Sequence, residues 1–151
     1  MNKKGFTMVE LVVSLAVMAV LATAATAVVA PIFKTYQRTA ARAQAQMIGG
    51  NIVDSLRKGI MNVGNIRVVS SDSGDTLDTG RGVYGVDDSG RLTFEQQPVF
   101  DEKYYHNLQI SLKMTELTDQ VVEVWVTVLQ RGDTLCTVQG VLSPLRRVLE
   151  N

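Results

Sequence analysis

Residues 6–33, FTMVELVVSLAVMAVLATAATAVVAPIF, hold a single charged side chain, Glu10, in an otherwise apolar run. Within it Leu11–Ala30 is broken only by Ser14, Thr23 and Thr26, and a helix of that length crosses the ~30 Å hydrocarbon core of a bilayer. A carboxylate at the centre of a membrane helix costs about 2.5–3.5 kcal/mol, so an acid retained in such a segment has a job or a partner. A secretory signal peptide shares the basic start, here Lys3 and Lys4, and ATAATAVVA at 22–30 mimics a cleavage site. The apolar run is nevertheless too long for the ~7–15-residue core of a signal peptide. Charge counting does not orient the span, because Lys34, Arg38 and Arg42 after it outnumber Lys3 and Lys4 before it.

The remaining composition excludes more than it assigns. The chain has 151 residues, with Lys+Arg and Asp+Glu both 15, so bulk charge points to no polyanionic or polycationic partner and no nucleic acid. Its one cysteine, Cys136, has no intramolecular partner, and one histidine makes neither a metal cluster nor a nucleophile–base pair. Cys136 lies in the alternating run TLCTVQGVL and reads as a buried structural thiol. No enzyme activity and no cofactor are expected.

A short basic leader ending in glycine (Lys3-Lys4-Gly5), then Phe6-Thr7-Met8-Val9-Glu10 and the apolar Leu11–Ala30, resembles the type IV prepilin class: type IV pilins, type II secretion pseudopilins and competence pilins. The resemblance covers about the first fifth of the chain. It implies that a membrane-embedded prepilin peptidase cuts between Gly5 and Phe6 and methylates the new amine of Phe6. It also implies a cytoplasmic leader and an extracytoplasmic C-terminal part, which supplies the orientation that charge counting leaves open. Glu10 is then expected to meet the Phe6 amine of a neighbouring subunit in a filament, two ions costly alone in hydrocarbon becoming a pair. A pair made at one axial offset sets the assembly register. Departures from the class pattern are plain: the span has no glycine, its proline comes late at Pro31, and the two-cysteine loop of many Gram-negative pilins is absent.

Beyond Pro31 the periodicity predicts a continuing helix. Tyr36, Ala40, Ala43 and Met47 make one apolar face, with Lys34, Arg38 and Arg42 opposite, a solvated or headgroup-contacting stripe. Past Gly49-Gly50 the stripe moves to Ile52, Val53, Leu56 and Ile60. Two successive faces imply two partners, other subunits first and the chain's own sheet second. The glycine pair reads as a loosening between them, since glycine costs about 1 kcal/mol in a helix interior. Ala19-Thr23-Ala27 and Ala22-Thr26-Ala30 place small residues at every fourth position, a spacing that lets membrane helices approach closely.

After Gly64 the period becomes two. Leu108–Thr115, Val121–Gln130 and Thr134–Leu142 read as an antiparallel meander, with Arg131-Gly132-Asp133 as a hairpin turn rather than an adhesion motif. Val83–Phe94 reads as an earlier hairpin closing on Asp-Asp-Ser-Gly, and Ser70–Gly82 as a loop. Asp72, Asp75 and Asp78 in that loop are weak calcium candidates, because their spacing is not that of an EF-hand. The expected fold is therefore α+β, a long N-terminal helix, transmembrane then amphipathic, packed on a small antiparallel β head. The expected segments are a leader at 1–5, a transmembrane and filament-core helix at 6–30, its amphipathic continuation at 31–64, and a head at 65–151.

The functional expectation is a structural subunit, a minor pilin or pseudopilin, of a type IV pilus-like or type II secretion-like filament. Its implied partners are prepilin peptidase, other pilin or pseudopilin subunits, an inner-membrane platform protein, an assembly ATPase, and membrane lipid before assembly. It would be a single-pass membrane protein that moves into a cell-surface or periplasmic filament. The competing expectation is a membrane-anchored extracytoplasmic module that captures a ligand or secreted substrate.

Overall fold

One helix, α1 (Met8–Ile60), accounts for 53 of the 151 residues; the computed structural model describes residues 7–71, 74–118 and 120–144. Residues up to Ala40 and residues from Ala41 onward form separate compact units. From Leu11 to Phe33 α1 is apolar on every side, and Leu11, Leu15, Leu21, Val28 and Phe33 are all exposed, the mark of a helix whose surroundings are themselves apolar. Its hydroxyls are satisfied within the helix. Thr23 Oγ1 donates to the Val20 carbonyl at 2.8 Å, Thr26 Oγ1 to that of Thr23 at 2.9 Å, and Ser14 Oγ to that of Glu10. Such back-bonding lets polar side chains sit in a span without unmet hydrogen bonds. The helix runs through Pro31, and Thr35 Oγ1 donates to the Pro31 carbonyl at 2.9 Å.

In the second unit α1 covers the core. Ala45, Ile48, Ile52, Leu56 and Ile60 recur at steps of three and four, and each is fully buried. The buried face expected at Ile52, Val53, Leu56 and Ile60 is observed, but it begins earlier, at Ala45. Opposite lies a three-stranded antiparallel sheet in the order β6–β7–β8: β6 (Gln109–Thr118), β7 (Val121–Gln130) and β8 (Asp133–Leu142). This is the predicted meander. Strict alternation along β7 buries Val122, Val124, Val126 and Val128 completely. At about 1.5–3 kcal/mol per buried aliphatic side chain, these two rows carry much of the stability of the unit. The β7–β8 turn has positive φ at Arg131 (53°) and Gly132 (88°) between the paired Gln130 and Asp133, so the first two residues of the RGD triplet form a two-residue hairpin turn and the third begins β8.

A second antiparallel sheet has the order β1–β2–β3–β4–β5: β1 (Arg67–Ser71), β2 (Gly74–Asp78), β3 (Val83–Val86), β4 (Leu92–Phe94) and β5 (Gln97–Pro98). β3 and β4 are the hairpin expected at 83–94; its turn closes with Asp87 Oδ1 accepting from the Arg91 amide at 2.8 Å. A 3₁₀ turn at Glu102–Tyr105 follows β5 and has no counterpart in the sequence reading. It stacks Phe100 on Tyr104 (ring centroids 4.5 Å apart), and Tyr104 Oη accepts from Asn51 Nδ2 of α1 at 2.7 Å. Tyr105, buried, accepts the Leu92 amide at its hydroxyl, and burial pushes its phenol pKa up.

Four expectations are corrected. The stretch 70–82, read as a loop, supplies the end of β1 and all of β2; only Leu77 on β2 is fully buried, and polar side chains do the rest of the fastening. Thr76 Oγ1 donates to the Val69 carbonyl at 3.1 Å, and the Val68 amide donates to Glu116 Oε1 of β6 at 2.7 Å. The helix stops at Ile60 rather than 64, where the Val63 amide closes back on the Ile60 carbonyl at 3.2 Å. Cys136 is half-buried instead of buried, because β8 is the last strand of its sheet. Partial burial still pushes its thiol pKa up, which makes it a poor nucleophile.

The fourth correction concerns Gly49-Gly50, which is regular helix and no loosening. A Cβ on Gly49 would lie 2.7 Å from Val138 Cγ2, and one on Gly140 of β8 would lie 2.5 Å from Val53 Cγ1. Helix and strand therefore interlock, each glycine receiving the other's valine. Gly50 has open space around its Cβ position. Gly50→Ala should gain up to about 1 kcal/mol from helix propensity. Gly49→Ala gains the same propensity but overpacks the core, and should fall below Gly50→Ala by about 1–3 kcal/mol. Thermal denaturation of the two variants is the check; equal melting temperatures would show that the helix and β8 are not closely packed at Gly49.

Candidate functional site

The first turn of α1 is organised by Thr7. Its Oγ1 accepts from the Glu10 amide at 3.3 Å and its carbonyl accepts from the Leu11 amide at 3.2 Å, so Thr7 caps the helix. Thr7-Met8-Val9-Glu10 also has the spacing of a capping box, a local signal that the sequence reading passed over. An acid in the first turn suits the positive end of the helix dipole. The Glu10 carboxylate itself makes no ion pair or hydrogen bond with any described residue. It stands exposed among exposed Val9, Leu11 and Val13. A charged group on an apolar helix surface, with a cap that does not use its carboxylate, is an electrostatic demand that the described part of the chain does not meet. Gly5 and Phe6, the expected cleavage and methylation positions, lie outside the described residues.

Met8–Ile60 contains a window of mean hydropathy 2.4, long and apolar enough to cross a membrane and with none of it buried within the protein. Immediately after it Lys34, Arg38 and Arg42 are exposed and make no ion pair with the described residues. Tyr36 and Met47, on the face assigned to other subunits, are exposed as well.

The aspartates are not brought together. Asp75 and Asp78 lie three residues apart on β2 and so point to opposite faces. Asp75 Oδ2 accepts from the Met114 amide of β6 at 2.8 Å, and Asp78 Oδ1 accepts from the Gly80 amide at 2.8 Å. Both carboxylates thus fasten the fold. Asp72 lies outside the described residues. Asp75 also lines a cleft of about 430 Å³ with Asp87, Asp88, Gln109 and Ser111, and the described residues contain no cluster arranged to hold a metal ion. Besides the capping box, the sequence reading missed the Asn51–Tyr104 bond and the Gly49–Gly140 interlock. Both depend on long-range approach, and neither has a periodic signature.

Residues 1–26 match the family model of the prokaryotic N-terminal methylation motif. Comparison with curated proteins and with solved structures finds no match. Residues 1–26 thus carry the prokaryotic N-terminal methylation motif, the feature that type IV prepilin-like proteins share, and they lead into a helix long and apolar enough to cross a membrane.

Proposed function

We propose that the protein is a structural, non-enzymatic subunit, a minor pilin or pseudopilin, of a type IV pilus-like or type II secretion-like filament. The observation that carries this reading is the methylation motif at 1–26 together with a helix of two different fates: exposed and apolar but for Glu10 through Phe33, then packed on its own sheets from Ala45. In this reading prepilin peptidase cuts between Gly5 and Phe6 and methylates Phe6. The segment 6–30 waits in the lipid and then enters the filament core, and the head, from about residue 65, is extracytoplasmic. Inner-membrane platform protein and assembly ATPase would drive extraction, with other pilin or pseudopilin subunits as neighbours.

Glu10 is the proposed register. Its carboxylate, engaged by no described residue, lies four residues along the sequence from Phe6, so pairing it with a neighbour's Phe6 amine would fix one axial offset between subunits. Lys34, Arg38 and Arg42 would face lipid headgroups before assembly. The reading is tested by expressing the protein with and without prepilin peptidase and shearing filaments from the cells. Expected is a faster-migrating mature form in the filament fraction, replaced by membrane-retained precursor when the peptidase is missing. A chain that never enters the sheared fraction, yet is unaffected by the peptidase, is instead an anchored binding module.

A further inference from the structure

Within the second unit a pocket of about 250 Å³ is lined by Arg91, Glu102, Tyr105, Asn107, Gln109 and Arg131. Pairing of Gln109 with Leu129 sets the start of β6 beside the end of β7, and so brings the turn residue Arg131 to the segment 91–109. The donors gathered there are largely unspent. Among the described residues the side chains of Asn107, Gln109 and Arg131 make no hydrogen bond or ion pair. Arg91, the more sheltered arginine at 28% exposure, gives one N–H to Glu102 Oε1 at 2.9 Å. Glu102 is 74% exposed, so water screens that pair and leaves Arg91 able to bind elsewhere. Arg131 is also an odd choice for its own turn. Its φ of 53° is left-handed, and a two-residue hairpin of this kind favours asparagine or aspartate before the glycine. The turn therefore does not account for an arginine at 131, whereas a use for its guanidinium in the pocket does.

We propose that this pocket binds a hydroxylated monocarboxylate about the size of one uronic-acid residue. Two guanidinium groups against one carboxylate leave the lining with a single net positive charge, which matches one anionic group. Guanidinium presents paired N–H donors that suit the two oxygens of a carboxylate. The amides of Asn107 and Gln109 both donate and accept, which complements hydroxyls and not a second charge. A dianion is disfavoured further by the neighbouring cleft, which shares Gln109 and is lined by Asp75, Asp87 and Asp88. At ~30 Å³ per water the pocket holds about eight waters, room for one sugar ring. The site belongs wholly to the second unit and stands whether or not the chain enters a filament.

The test is titration of the full-length chain in detergent micelles with galacturonate, with neutral galactose and sodium sulfate as controls, read by calorimetry and by amide chemical shifts. Galacturonate should bind one per chain at millimolar concentration or below and shift the amides of 105–109 and 131–132, while galactose leaves them unmoved. Arg91→Gln and Arg131→Asn should each weaken binding by about tenfold or more, the loss of a hydrogen bond to a charged group. Arg131→Asn should at the same time melt at or above the wild-type temperature, because asparagine suits the turn better. That combination separates a ligand-binding arginine from a structural one. Glu102→Gln, which removes the competing carboxylate from Arg91, should tighten binding severalfold. No saturable binding of galacturonate overturns the proposal. So does binding of galactose or sulfate as tight as that of galacturonate, or galacturonate binding that the two arginine variants leave unchanged.

Discussion

Glu10→Gln should yield a mature, membrane-bound protein that is nearly absent from sheared filaments. The substitution preserves size and hydrogen bonding and removes the charge. The Thr7 cap survives it, because that cap uses the Glu10 backbone amide and leaves the carboxylate free. Membrane insertion becomes easier with a neutral side chain, and cleavage between Gly5 and Phe6 has its own residues intact. What is lost, on the proposed assembly contact, is the partner of a neighbour's Phe6 amine in an apolar core. Removing one member of a buried pair costs on the order of 3–5 kcal/mol, which is on the order of a hundredfold or more in incorporation. Quantifying mature protein in membrane and filament fractions decides it. Incorporation at the wild-type level would remove Glu10 from the role of register.

Two truncations should behave in opposite ways. A chain beginning at Ala41 discards the exposed apolar half of α1 and keeps every buried apolar side chain of its second half, Ala45, Ile48, Ile52, Val53, Leu56 and Ile60. It should be soluble, monodisperse and cooperative in melting. A chain beginning at Met61 removes all six from the core and uncovers the valine row of β7. At about 1.5–3 kcal/mol for each large aliphatic, the loss rivals the 5–15 kcal/mol that holds an ordinary domain folded. The exposed sheet face then becomes an aggregation surface. Size-exclusion chromatography and thermal melting read both outcomes; similar behaviour would mean that α1 does not supply the core.

The sequence signals that succeeded were those with a period. The α+β architecture, the β6–β7–β8 meander and the buried face of α1 follow from steps of two, three and four residues that geometry cannot easily disguise. The hairpin at β1–β2 was hidden because its strands are held by Thr76, Asp75 and Glu116 side-chain bonds instead of a hydrophobic row. Gly49 misled for a related reason: glycine in a helix is locally unfavourable, and its compensation, the approach of Val138, lies almost ninety residues away in the sequence. At the candidate site Glu10 was legible as an anomaly, one acid in an apolar run. Its cap from Thr7 was equally local and was overlooked. Asp75 and Asp78 looked like ligands because composition alone does not say which backbone amides a carboxylate will take.

Processing between Gly5 and Phe6 separates a prepilin from a plain anchor, and intact-mass analysis of the membrane-extracted protein reads it directly. The predicted mass is that of residues 6–151 carrying one added methyl group on the Phe6 amine. A protein that retains Met1, or one cut within 22–30 as a secreted protein would be, contradicts the prepilin account.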